Sequence, residues 1–159
     1  MPRAARCSAA VAGVLVVLGA GCVGGGGSSS TGSTAGGGPT RAQFQHQAVA
    51  ICRRYQRRIG TLKTATDMAH LASQGARAVA LERAELRELR ALTPPAADRA
   101  AVKRMLDSLD TSIATGAKLV AAAKANDVAG VAADAELLKA QLGTTGVLAR
   151  PFGLDLCTG

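Results

Sequence analysis

TRAQFQHQAVAICRRYQRRIG, residues 40–60, opens the folded part of the chain and sets its pattern. Thr40 and Gln43 have the spacing of a capping box, in which each side chain satisfies an orphan backbone donor at a helix start. Behind them Phe44, Ala48, Ile51, Tyr55 and Ile59 recur at intervals of four and three, which makes one apolar face of an α-helix. Cys52 flanks that face, four residues after Ala48. Gly60 marks the expected stop.

The same period continues downstream. A polar joint, Thr61 to Thr66, leads to a second helix from about Asp67 to Ala91, with Met68, Leu71, Val79, Leu86 and Leu89 inward and Gly75 and Ala78 allowing close approach. Glu82, Glu85 and Glu88 beside Arg83, Arg87 and Arg90 read as a solvated charged edge. Thr93-Pro94-Pro95 ends this helix, because a residue before proline avoids helical angles. Proline suits a first helical turn, so a third helix starts at once and runs to about Ala125. Its inward positions are Val102, Leu106, Leu109, Ile113, Gly116, Val120 and Ala123. Asn126-Asp127 breaks it and caps a fourth helix, with Val128, Val131, Ala135, Leu138 and Leu142 inward. Gly143-Thr144-Thr145-Gly146 is poor helix sequence and is expected to kink or fray that helix. Pro151-Phe152-Gly153 ends regular structure. Four amphipathic helices with short joints predict an all-α, up-down-up-down four-helix bundle over residues 40–159.

Upstream of Thr40 the character changes. Val23 to Pro39 is glycine, serine and threonine with almost nothing apolar, the composition of a flexible tether. Before it, Arg3 and Arg6 precede an apolar run from Ala9 to Leu18. That run is too short to cross a bilayer core of roughly 30 Å, and the arrangement is that of an export signal. Its end, Leu18-Gly19-Ala20-Gly21-Cys22, resembles the lipobox of bacterial lipoproteins. The resemblance implies a signal peptide over residues 1–21, a lipidated Cys22 as the new N-terminus, and a linker over residues 22–39. Gly19 stands where the family prefers Leu, Val or Ile, which leaves ordinary secretion or an uncleaved anchor as alternatives.

With Cys7 in the signal and Cys22 lipidated, Cys52 and Cys157 remain. Two cysteines in an exported domain read as a disulfide, with two separate buried thiols as the other reading. The bridge needs its Cα atoms within about 7 Å. A straight fourth helix would overshoot Cys52, so either the first helix slides along the bundle or the tail folds back past Phe152; the expectation is the fold-back, packing Phe152 and Leu154 on the first helix. The mature domain also resembles the small alanine- and arginine-rich lipoproteins of high-GC actinobacteria. The residues that carry this likeness are Ala50-Ile51-Cys52, Leu89-Arg90-Ala91-Leu92-Thr93-Pro94-Pro95, Asn126-Asp127 and Phe152-Gly153-Leu154-Asp155-Leu156-Cys157. It implies a secreted helical domain with one disulfide, and no activity.

The chemistry-bearing patterns are sparse. His46 and His70 lack the C-x-x-C-H of covalent haem and the paired Glu-x-x-His motifs of a di-iron bundle. Asp67 reads as a helix cap, not a ligand beside His70. Ser73, Ser108 and Ser112 sit on helices without a nucleophile elbow. No enzyme, cofactor or metal is expected. Arg53, Arg54, Arg57 and Arg58 form the densest charge cluster. They complement the negative end of the first helix; the sharper reading is contact with lipid phosphates or an anionic envelope polymer. After residues 1–21 are removed, 17 basic residues face 11 acidic ones, too mild a balance and too few aromatics for a nucleic-acid partner. The expectation is a non-enzymatic interaction or structural module, lipid-anchored on the outer face of the cell membrane, with an unidentified protein partner also open. The alternative is a carrier holding a small apolar ligand or cofactor inside the bundle.

Overall fold

The computed structural model describes residues 38–154 and Cys157. The expected signal, Cys22 and residues 22–37 of the linker lie outside them. The described residues form four long helices: α1 (Arg41–Ile59), α2 (Met68–Ala91), α3 (Arg99–Lys124) and α4 (Val128–Ala149). They make an all-α four-helix bundle whose main seams join α1 to α2, α2 to α3 and α3 to α4. No helix among the described residues is long and apolar enough to cross a membrane.

The helix ends follow local chemistry. The Thr40 hydroxyl accepts from the Gln43 N–H at 3.2 Å, and the Gln43 side chain accepts from the Thr40 N–H at 2.8 Å, completing the capping box. Gly60 ends α1 while staying right-handed (φ −62°), so the stop is a tightening of the last turn and not the left-handed cap usual for glycine. Asp67 caps α2 through the His70 N–H at 2.8 Å. Between α2 and α3 the chain makes a short 3₁₀ turn (Ala96–Asp98) after the two prolines, so α3 starts four residues past Pro95 and not directly after it. At the far end Asn126 takes φ 56°, and the Asp127 N–H reaches back to the Ala122 carbonyl at 2.9 Å, a Schellman ending. The same Asp127 then caps α4 through the Gly130 N–H at 2.9 Å. A three-residue joint, Ala125 to Asp127, therefore reverses the chain.

All seven inward positions read for α3 are buried, from Val102 to Ala123. Gly75 lets α2 approach α3: a Cβ there would meet Val120 Cγ2 at 2.7 Å. Helix α4 departs from expectation. Val128 is 69% exposed and Ala135 is exposed, while Val131, Leu138 and Leu142 are half-buried. Its buried residues are Thr145 and Ala149. The reason is that α4 packs along α3 with no comparable seam to α1, so its inward stripe has one neighbour instead of two. Nor does the Gly143–Gly146 stretch break the helix. Thr144 and Thr145 bond back to the carbonyls of Ala140 and Gln141 at 3.2 and 3.0 Å, and Thr145 Oγ1 pairs with Ser108 Oγ of α3 at 2.8 Å. Tertiary hydrogen bonding outweighs weak propensity here.

The tail does fold back. Gly153 adopts φ 63°, where a side chain would be strained, and the Leu154 N–H returns to the Ala149 carbonyl. Phe152 meets Phe44 of α1 edge-to-face at 6.4 Å, and Leu154 is fully buried in the same cluster. Arg41 lies over the Phe152 ring at 5.8 Å and forks onto the buried Asp98, its Nε 2.8 Å from Oδ2. These contacts deliver Cys157 to Cys52, where the two are disulfide-bonded with Cα atoms 5.0 Å apart.

Candidate functional site

Two features stand out: an arginine-rimmed groove between α1 and α2, and a narrow, partly open cavity in the bundle. The last two turns of α1 place Arg54, Arg57 and Arg58 along one side of the groove, and α2 adds Arg77 from the other. Its floor is aliphatic, from Leu62, Ala80, Leu81 and Ala84. Arg53, one residue before Arg54, is exposed away from the groove, because a helix turns each successive side chain by about 100°. The structure thus divides the four-arginine cluster and supplies Arg77 in place of Arg53. Arg77 lies four residues before Leu81, one helical turn, but α1 and α2 must pack before it joins the others.

Tyr55 holds two of the rim arginines in place. Its hydroxyl donates to Glu88 at 2.6 Å, Glu88 also takes the Arg54 guanidinium, and Arg54 and Arg58 each stack over the Tyr55 ring at 5.4 Å. The phenol's hydrogen bond, together with the arginines, holds the Glu88 carboxyl below its ordinary range, while Glu88 pushes the phenol up. Glu88 absorbs part of the charge of Arg54. Arg57, Arg58 and Arg77 form no ion pair among the described residues.

The cavity lies on the other side of α2 and has a volume of about 110 Å³. Ile59, Leu109, Ile113, Leu138 and Leu142 wall it, with Cys157 at one side. Its polar lining is Glu82, Glu85, Gln56 and Ser112. This corrects the reading of Glu82, Glu85 and Glu88 as a solvated edge: Glu85 is 2% exposed and Glu82 half-buried. Glu85 Oε1 has no hydrogen-bond partner among the described residues. Burial, reinforced by the nearby charges of Glu82 and Glu88, pushes its pKa up to about 7. Burial also raises Glu82. The Glu85 carboxylate lies within 4.8 Å of both Cys52 and Cys157 sulfurs. With those sulfurs joined to each other no thiolate is free, so the three residues are not a zinc set as they stand. A sequence signal for this cavity existed. Glu82 falls three residues after Val79 and four before Leu86, on the apolar seam itself.

The remaining candidates are peripheral. His46 and His70 are exposed, and His70 Nδ1 sits 2.8 Å from Asp67, its capping partner. Comparison with protein-family models, curated proteins and solved structures finds no match to this chain.

Proposed function

We propose that this domain is a non-enzymatic, membrane-tethered interaction module whose α1–α2 groove rests on the phosphates of anionic lipid headgroups. The observation that carries the reading is the groove itself. Arg57, Arg58 and Arg77, none held in an ion pair among the described residues, rim an aliphatic floor together with Arg54. Guanidinium forks bind phosphate oxygens bidentately, and the floor suits the upper part of an acyl chain. The charge balance agrees, with 17 basic against 11 acidic residues after residue 21. Each arginine near an anionic surface contributes about 1 kcal/mol. An anchor at Cys22 would supply the second attachment that stable membrane binding requires. The groove lies at the end of α1 away from the linker; α1 has 19 residues, about 28 Å at 1.5 Å each. The Gly/Ser composition expected of the linker, residues 23–39, would give a reach of about 20–25 Å, enough to let that end come down to the headgroups.

The test uses the chain from residue 23 onward, without the expected signal segment and Cys22, so that any binding measured is the domain's own, on vesicles with and without phosphatidylglycerol. We expect salt-sensitive binding to the anionic vesicles alone. R54Q/R57Q/R58Q/R77Q should weaken it by about two to three orders of magnitude, the sum of three or four such contacts, and Arg53→Gln much less. Equal binding by the quadruple variant refutes the reading. Binding to a soluble phosphate polymer but not to vesicles would assign the groove to an envelope polymer instead.

A further inference from the structure

The bundle interior holds an acidic group, the Glu85 carboxyl, that no basic side chain among the described residues answers. Glu85 is buried at 2% exposure, its Oε1 lacks a hydrogen-bond partner among the described residues, and it lines a partly open cavity of about 110 Å³. Among the described residues no lysine, arginine or histidine lines that cavity. A buried carboxylate without a partner is costly, and proteins retain such groups where a ligand or proton completes them.

The charged and titratable groups around Glu85 come from few elements. Helix α2 contributes Glu82 and Glu88, both acidic. From α1 and the tail comes the Cys52–Cys157 disulfide, which does not titrate. Tyr55 and Arg54 of α1 are engaged with Glu88. The α3 and α4 lining is Leu109, Ser112, Ile113, Leu138 and Leu142, none of them titratable. The cavity is therefore of one sign. A water's share of liquid volume is about 30 Å³, so the space holds three or four waters or a ligand of about four non-hydrogen atoms. That is far too small for haem or a fatty-acyl chain. The acceptors are two carboxylates, the lone pairs of the Ser112 hydroxyl, and the Gln56 amide oxygen. Calcium takes six to eight oxygens at short range and magnesium a strict octahedron, which these few groups on mostly aliphatic walls do not supply. A primary ammonium asks for three acceptors and has an alkyl tail to bury.

We propose that the cavity binds a small primary alkylammonium ion, with its –NH₃⁺ held by Glu85 and Glu82 and its tail against Ile59, Leu109 and Ile113. This site is independent of the arginine groove. Glu82 and Gln56, both half-buried, form the mouth. Because the Glu85 carboxyl titrates at about 7, the ligand competes with one proton. Below that pH the site is filled by hydrogen; above it the bare carboxylate is open to the cation.

The experiment titrates the full chain with n-propylammonium chloride, read by calorimetry and by two-dimensional NMR. n-Propanol, potassium chloride and calcium chloride are run in parallel. Saturable one-to-one binding is expected at about pH 8, weaker by about 100-fold at about pH 5, as one proton competing across two pH units requires. Glu85→Gln, of the same shape, should weaken binding at least tenfold while its amide spectrum shows it folded. Glu82→Gln should weaken it less. The proposal is overturned if propylammonium fails to saturate, if propanol binds as well, or if E85Q or a change of pH leaves affinity unchanged. It is equally overturned if potassium or calcium displaces the ammonium at equal concentration, which would make this a metal site.

Discussion

Replacing Glu85 by glutamine should make the protein more stable at alkaline pH and leave it little changed in acid. The folded carboxyl titrates at about 7 against an ordinary value of 4.5, so the folded state binds a proton more tightly than the unfolded chain. A raised folded pKa stabilises fully below about pH 4.5, and that contribution disappears as pH rises through about 7. At 1.36 kcal/mol per unit, the full shift corresponds to about 3 kcal/mol. Solvent reaching the carboxylate past half-buried Glu82 screens part of that, so we expect about 2 kcal/mol. Glutamine keeps the shape and removes the ionisation. Urea unfolding of wild type and E85Q, followed by circular dichroism between about pH 5 and about pH 8, should show a stability difference that grows with pH by this amount. Asp67, Glu88 and Asp98, whose carboxyls are held below their ordinary range by hydrogen bonds, act at lower pH and are common to both proteins. They cancel in the difference. Parallel pH profiles would refute the account, because they would mean that Glu85 ionises in the folded state at the same pH as in the unfolded chain.

Two further outcomes follow from the packing. The Cys52–Cys157 bridge joins residues 105 apart, and the chain-entropy model assigns a loop of that size about 4.7 kcal/mol; Cys52→Ser with Cys157→Ser should lose a large part of it, seen as a lower urea midpoint that reductant no longer changes. Gly75→Leu should cost about 1–3 kcal/mol by overpacking, since even a Cβ there would press on Val120 at 2.7 Å; a thermal midpoint equal to wild type would show that α2 and α3 separate easily.

Much of the fold was legible because it is written in short-range pattern. The Thr40–Gln43 box, the Asp67 and Asp127 caps, the Pro94-Pro95 break and the apolar stripes of α1 and α3 each depend on residues within a turn or two of one another. Helical periodicity assigns a face to every side chain, but it does not say how many neighbours will cover that face. Helix α4 illustrates the gap. It has the apolar stripe of a core helix and only three charged residues, yet Val128, Leu137 and Val147 stand exposed because one seam covers it.

The functional residues show the same division. Arginines at 54, 57 and 58 declared a basic helix end; that Arg53 leaves the group and Arg77 joins it depends on where α2 lies against α1. Glu82 and Glu85 looked like the edge of a charged face, since alternation with arginine is what solvated helices show. Only the closing of α3, α4 and the returning tail over α2 removed Glu85 from water, and removal from water, not residue type, is what raises its pKa. Local sequence alone determined the four helices and their caps. Tertiary structure decided which charges remain solvated and which are enclosed, because desolvation belongs to the assembled surroundings of a group and not to its neighbours along the chain.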